Sequence, residues 1–567
     1  MTGLVNMARL KFFSKPLLTA LGLLLIVFPV VKNTLRTGFF PVHDDIQAMR
    51  LMEMDKCIAD GQIPCRWVPD MGYGYGYPQF SYYGPLPYYV MEIFHLSGLG
   101  YLNSIKAGLV LLTILSALGM YLLGKSLWGS GGGFVSSILY TYAPYRALDF
   151  YVRGDIAELA ALAIFPFLFW TVREILTGKK KFVIWFAISI AALFTSHNIS
   201  TLIFTPILGL WAVFVILTDK AKKNELKERI IYLFFGGLWG ILLGAFFVVP
   251  AWFEKGYVHV ETLLLGYFNY LAHFVSAKQM LFSTYWNYGA SEWGIYDELY
   301  LGIGQLHWIL PAASALILYM LKKRKELMTV LFLTVIGWAA IFLTHERSTF
   351  IWNSVPILAY LQFPWRFTII ATFLFSIAGG VLAKVLEGKK QTAFLVITIF
   401  FLSLFFYSGY FRPLKWLDIS DDDKFSGESW TRQQTISIFD YLPIDAKFPP
   451  ATKAPDTPVF IQGKGEVIDG AIRSKSQEWE INVEGDEAIV EIPTFYFPVW
   501  KVYVDGKETQ IDYSNELGLI RFDATGGRHD IKANLTDTPL RKAANAATLV
   551  GIALIPIFLV FKKRLIK

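Results

Sequence analysis

Three ionisable residues stand side by side in GFFPVHDDIQAMR at 38–50: His43, Asp44 and Asp45. They follow at once on an apolar run, 14–34, long enough to cross a bilayer. Adjacent carboxylates repel, but neighbouring side chains of an extended segment point to opposite sides, so the two need not reach one atom. Comparable short motifs recur further on. YRALDFYVRGDIAE supplies Arg146, Asp149, Arg153, Asp155 and Glu158, and TSHNIS supplies His197 and Asn198. FEKGYVHVE supplies Glu254, His259 and Glu261, HERS supplies His345, Glu346 and Arg347, and LQFPWRF supplies Gln362, Trp365 and Arg366. Taken singly, each has a bland explanation: a solvated loop charge, a satisfied turn, or an arginine beside a tryptophan anchoring a helix. Taken together they gather at the ends of apolar runs, where ionisable groups are costly unless they line a wet cavity. A shared pocket is therefore expected.

The chemistry open to such a pocket is limited. A carboxylate can take the proton of an incoming hydroxyl. Arginine matches a phosphate through paired, charge-assisted hydrogen bonds. The sequence shows no nucleotide-binding loop, no zinc spacing, no G-x-S-x-G and no Cys/His nucleophile arrangement. A lipid-linked phosphosugar fits instead: its phosphate lies at headgroup level and its tail in the bilayer, beside aromatic surface segments suited to the prenyl chain and the sugar face.

These motifs need a membrane scaffold to hold them. The 567 residues are 54% hydrophobic and 17% charged, with mean hydropathy +0.44. Apolar runs place about twelve spans: 14–34, 103–124, 131–145, 156–176, 182–195, 198–218, 231–250, 303–321, 328–344, 367–386, 391–409 and 543–561. The first run lacks a small-residue cleavage site and reads as a retained helix, not a signal peptide. The basic clusters (Arg9/Lys11/Lys15, Lys125, Lys179–Lys181, 219–229, 322–325, Lys389/Lys390 and 562–564) all fall in the tails or in even-numbered connections. The positive-inside rule then puts both termini in the cytoplasm and the polar motifs outside. The net charge of +7 is thus topological and implies no nucleic-acid partner. Cys57 and Cys65, the only cysteines, share one outside loop and are a disulfide candidate.

The outside loops are long. In the first, 35–102, helical spacing is expected over 46–60 and a second helix over 84–97, both lying along the surface. Between them runs PCRWVPDMGYGYGYPQFSYYGPLPYY, dense in Gly, Pro and Tyr. Three domains are expected: a membrane catalytic domain over 1–409, an extracytoplasmic β-sandwich or jelly-roll over 410–542, and a last span with a basic tail over 543–567. EWEINVEG sets Trp479, Ile481 and Val483 on one side of a strand, and Asp505-Gly506 marks a hairpin turn. Asn534-Leu-Thr536 matches a glycosylation acceptor, a triplet common by chance. No internal repeat is evident.

The motifs in this order resemble the GT-C glycosyltransferases, which use polyprenyl-phosphate-linked sugars. More narrowly, HDD at 43–45, GQIPCRWVPDMGYGYGYPQFSYYGPLPYY at 61–89, RGDIAE at 153–158, SHN at 196–198 and LQFPWRF at 361–367 resemble bacterial membrane proteins labelled 6-pyruvoyl-tetrahydropterin synthase-related. YFPVWKVYVDGK at 496–507 resembles the outer β-domain of large membrane proteins of the same superfamily. The resemblance implies inverting sugar transfer in a bacterial cytoplasmic membrane, onto an extracytoplasmic glycan, lipid or protein. It implies Asp44 as general base, with Asp45 positioning it, orienting the acceptor or sharing a metal. Asp155 and Glu158 match a second acidic motif. Some members hold a divalent cation (magnesium or manganese) through such residues, here Asp45, Asp155 and His197, and others need none. Arg153, Arg366 and Arg146 would grip the phosphate; His43, His197, Asn198, Gln362 and Trp365 would line the substrate pocket. Two other classes remain: a transporter or flippase for a lipid-linked glycan, disfavoured because the charges sit at span ends, and a non-catalytic assembly factor indifferent to loss of Asp44.

Overall fold

The computed structural model describes residues 15–218, 221–292, 297–386 and 388–565. Arg9, Lys11, Asp219 and Lys220 of the basic clusters, and the side chains of 562–564, lie outside the described residues. All twelve apolar segments are helical, but eight described helices are long and apolar enough to cross a membrane. A bent pair, Lys223–Leu243 with Ala245–Phe253 (76°), makes a ninth if counted as one span. Length explains the difference from twelve. Val183–Ser196 has 14 residues and Gln305–Met320 has 16, short of the roughly 20 a bilayer requires. The expected spans 103–124 and 131–145 are the two arms of Tyr101–Thr141, which breaks between them at Gly129, φ 83°. The chain doubles back there: the Ser137 hydroxyl donates to the Ala117 carbonyl at 2.9 Å.

Seven helices matter for the site. They are α1 (Lys15–Val31), α2 (Gln47–Ala59), α3 (Leu86–Leu96), α4 (Tyr101–Thr141), α5 (Ile156–Leu176), α6 (Val183–Ser196) and α7 (Asn198–Thr218). The most enclosed of the seven is α5, which packs against α4, α6 and α7. Its span window is 78% buried inside the protein, against 33% for α1. The core is therefore organised around two spans, α5 and Pro364–Val385, the latter 83% buried, whose starts carry the RGDIAE and LQFPWRF motifs.

The surface placement expected for α2 does not hold. Gln47 through Met54 are all buried, Arg50 and Glu53 included. The helix is roofed by other parts of the first loop, as the bonds from the Tyr88 hydroxyl to Gln47 and from the Asp70 N–H to Glu53 show. A Cys57–Cys65 disulfide joins its C-terminal turn to the following loop. The other helix, α3, keeps Ile93 and Leu96 exposed.

The C-terminal domain is a single five-stranded antiparallel sheet, where a two-sheet sandwich was expected. Its order is β1-β2-β5-β3-β4, with β1 Val459–Ile472, β2 Ser476–Phe495, β3 Trp500–Val504, β4 Lys507–Thr509 and β5 Leu519–Leu535. Strand β2 buries Trp479, Ile481 and Val483, then Ala488, Val490 and Ile492. That change from odd to even positions would turn the apolar set outward in a regular strand. A register shift between Val483 and Glu487 restores it to the same face. This face is covered by Trp67, Tyr75 and Tyr82 of the first loop, with Trp67 meeting Trp500 edge-on at 5.7 Å. The partner of the sheet is thus the first loop rather than a second sheet. The two-residue hairpin at Asp505-Gly506 joins β3 to β4, both residues at positive φ as such a turn requires.

Candidate active site

The site is built where the first loop crosses the start of α5. Residues 149–153 form one widened helical turn ending at Gly154, φ 69°. A Cβ on Gly154 would lie 2.5 Å from the Val42 side chain, so only glycine permits both the turn and the contact. Through this contact the acidic loop docks: His43 and Asp44 N–H groups donate to the Val152 and Arg153 carbonyls, each at 2.9 Å. The Gln47 side chain donates to the Gly154 carbonyl at 2.9 Å. Asp155 then caps α5, accepting from the Glu158 N–H at 2.9 Å.

Around these elements lies a dense ionic cluster. Arg153 donates to Asp149, to Asp155 at 2.8 Å and to Glu158 at 3.1 Å. Tyr145 donates to Glu158 at 2.6 Å. Arg366 comes within 3.6 Å of the same carboxylate, and Trp365 lies under the Arg153 guanidinium at 4.8 Å. His197 faces Asp155 and Glu158 with its Nδ1 held 2.8 Å from the Ser200 hydroxyl. One ligand atom from each of Asp155, Glu158 and His197 lies within 4.8 Å of the others. Burial opposes ionisation of Asp155, but His197, Arg153 and Arg366 outweigh it and hold the carboxyl at about 2.

Asp44 differs from its neighbours. Its carboxylate accepts no hydrogen bond from the described residues, although Arg50, Arg153, Arg366 and Asp155 all act on it. Burial, then Asp155, raise its proton affinity above the ordinary aspartate value. Asp45 turns the other way and pairs with Lys424 at 2.5 Å. The two adjacent acids therefore face different surroundings, as an extended segment allows.

The remaining sequence candidates take supporting positions. His43 is exposed and bonds through Nε2 to the Tyr288 carbonyl at 2.9 Å. Asn198 donates to the Tyr82 carbonyl at 2.8 Å, bracing the first loop. Gln362, in the left-handed region at φ 62°, accepts from Arg366 at 3.2 Å and donates to the Leu263 carbonyl. Arg146 is buried with its guanidinium 5.1 Å from the Tyr140 ring centre, behind Asp149. The single pocket expected for all the span-end motifs is not found. Glu254 pairs with Arg541 at 2.6 Å in a separate cluster, His259 with Glu261 at 2.6 Å, and His345 caps its own turn.

Against known families, residues 80–414 match the model described as "6-pyruvoyl-tetrahydropterin synthase related domain; membrane protein". The chain belongs to this family. The match covers the α5 start, His197 and Arg366; Asp44, Arg50 and the sheet lie outside it. An uncharacterised protein of Lactococcus lactis subsp. cremoris (strain MG1363) is 26% identical over 261 residues, 44% of this chain and 40% of its own length. Among solved structures, the arabinofuranosyltransferase AftD from Mycobacteria superposes with TM-score 0.44 and 12% identity, over 71% of this chain and 27% of its own. The Archaeoglobus fulgidus oligosaccharyltransferase, tethered to an acceptor peptide, gives TM-score 0.40 and 12% identity, over 71% and 56%. The chain thus spans less than two thirds of each of these proteins.

For this family member, the structure adds residues that sequence reasoning passed over. Arg50 sits 3.9 Å over the Tyr83 ring, 3% exposed, with Nε unpartnered among the described residues. In the sequence it was one charge among several, with Glu53, Asp55 and Lys56 following on the same short helix, so nothing marked it as buried. Tyr145 was equally unmarked, being one tyrosine among 29.

Proposed function

We propose that the chain is a membrane glycosyltransferase. It moves a sugar from a polyprenyl-phosphate donor to an acceptor hydroxyl, with Asp44 as general base. The observation that carries this reading is the Asp44 carboxylate: free of hydrogen bonds from the described residues, raised in proton affinity, and set among three arginines. A purely structural aspartate in such surroundings would close a salt bridge, as Asp155 does with Arg153.

In the reaction, the acceptor O–H gives its proton to the Asp44 carboxylate as the oxygen attacks the anomeric carbon. The bond from that carbon to the phosphate oxygen breaks on the opposite face, and its electron pair leaves with the phosphate, inverting the centre. Arg366 and Arg50 are the groups for the phosphate, since each keeps a buried Nε without a hydrogen-bond partner among the described residues. Both Nη atoms of Arg153 are committed to the carboxylates, so its role is to hold them in place. Trp365 and Gln362 keep Arg153 and Arg366 in position.

A divalent cation fits Asp155, Glu158 and His197. Two carboxylates and an imidazole whose Nδ1 is engaged by Ser200 form a hard-to-borderline donor set. When bound there, the ion would add positive charge for the departing phosphate. Asp45 belongs to a different contact and is not among these donors.

We place the site on the extracytoplasmic face of a bacterial cytoplasmic membrane, with both termini inside, on the distribution of basic residues. The test is transfer of radiolabelled sugar from polyprenyl-phosphate donors by the full chain in lipid nanodiscs. Asp44→Asn should abolish transfer while leaving the protein folded. Full activity in that variant would overturn the assignment.

A further inference from the structure

A second carboxylate reaches the cluster from the segment joining the helical body to the sheet. Residues 436–442 lie beyond the family match and carry no motif in the sequence. They are nonetheless firmly held. The Tyr77 hydroxyl is shared between the Ser437 and Ile438 carbonyls at 3.1 and 3.2 Å, and accepts from the Tyr441 N–H at 2.6 Å. Ser437 takes the left-handed conformation, φ 61°, unusual for a serine and fixed here by these bonds. The Asp440 N–H closes the turn onto the Ser437 carbonyl at 3.0 Å. On the far side, His259 donates to the Leu442 carbonyl at 3.0 Å and Ile444 to Tyr257 at 2.9 Å. Turn and flanks together fix Asp440 and Tyr441 between the first loop and residues 257–259.

What they face is the site. The Tyr441 ring stacks on Tyr82 with centroids 5.6 Å apart, and Arg50 lies over the adjacent Tyr83. Arg50 and Asp44 both act on the Asp440 carboxyl, and Arg50 and Arg366 act on Tyr441. Both residues keep part of their surface exposed. A carboxylate and an aromatic face in one place match a saccharide: ring C–H groups rest on the aromatic face while a hydroxyl donates to the carboxylate.

We infer that Asp440 and Tyr441 form the acceptor subsite, and that the acceptor is a saccharide held by these two residues with one hydroxyl turned toward Asp44. This rests on the glycosyl-transfer reading above. Burial pushes the Asp440 carboxyl up to about 6, opposed by Arg50, so it is an acceptor of hydrogen bonds at neutral pH.

The test is saturation-transfer NMR on the full chain in nanodiscs, with a panel of neutral methyl glycosides as probes and polyprenyl phosphate as a separate ligand. At least one glycoside should receive saturation from wild type. Asp440→Asn and Tyr441→Ala should each weaken that binding about tenfold, the loss of one strong contact, with Asp440→Glu restoring part of it. Both variants should still bind polyprenyl phosphate, which shows that they are folded. Absence of glycoside binding in wild type, or wild-type affinity in Asp440→Asn, overturns the inference. Glycoside binding lost in Asp440→Asn with no polyprenyl phosphate bound by wild type would instead sink the transferase reading and keep the subsite.

Discussion

Two buried ionic clusters lie in this protein, and they differ in what they leave open. In one, Glu254 at the end of Ala245–Phe253 is held by Arg541 and Thr538, each at 2.6 Å, from the last helix, Pro539–Leu565. Beside it Arg66 binds Asp537 at 3.1 Å and Asn545 at 2.8 Å. Both oxygens of Glu254 are taken, and the contacts tie the first loop to the last span. In the other, Arg153 satisfies a set of carboxylates, but Asp44 stands beside them unbonded among the described residues, and Arg50 and Arg366 keep unpartnered Nε atoms. Burial of charge is common to both. Each cluster keeps a buried guanidinium nitrogen without a hydrogen-bond partner among the described residues, Nη2 of Arg541 included, so what distinguishes a site from a brace is the free carboxylate.

That contrast can be broken by mutation. The largest expected effect is on Asp44→Asn: a fall in sugar transfer of roughly 10²–10⁴-fold, the usual range for loss of a general base, with no change in melting temperature. Next, Glu254→Gln should destabilise the protein by about 3–5 kcal/mol, as expected when one partner of a buried ion pair is removed. Thermal unfolding in nanodiscs would show it, while turnover per folded molecule should hold near wild type. If Glu254→Gln instead lost turnover without losing stability, the two clusters would have been assigned the wrong way round.

Smaller effects sharpen the comparison. Arg50→Gln and Arg366→Gln should each raise the donor KM about tenfold through loss of one charge-assisted bond; an unchanged KM in both would leave the phosphate without its proposed grip. The rate should fall on acidification at a pH above the ordinary aspartate value of 3.8, because burial and Asp155 raise the Asp44 proton affinity and the base must be deprotonated to act. An acid limb at or below 3.8 would point away from Asp44. Asp45→Asn should cost only a few-fold in rate, by loosening the Lys424 contact that fixes the loop.

Much of this was legible in the sequence, and the limits are physical. The apolar runs placed every helix long enough to span, because their length and composition are set by the bilayer. They did not give the number of crossings, since two segments are too short to span and Lys223–Leu243 bends by 76° into Ala245–Phe253. The alternation at Trp479, Ile481 and Val483 identified the strand, but not the cover on its apolar face, which comes from Trp67 more than 400 positions away. Asp44, Asp155, Glu158, His197 and Arg366 were singled out because each is an ionisable group at the end of an apolar run. Asp440 and Tyr441 were not, because only the Tyr77 clamp brings an ordinary polar turn to the site. The first-loop helix α2 was expected along the surface from its helical spacing in an aromatic-rich loop, whereas Gln47 to Met54, Arg50 and Glu53 included, are buried.

The most direct measurement is a structure of the full chain with polyprenyl phosphate bound. The account predicts phosphate density within hydrogen-bond reach of Arg366 or Arg50 and next to Asp44. Phosphate density at Arg66 and Arg541, with the Asp44 cluster empty, would contradict it.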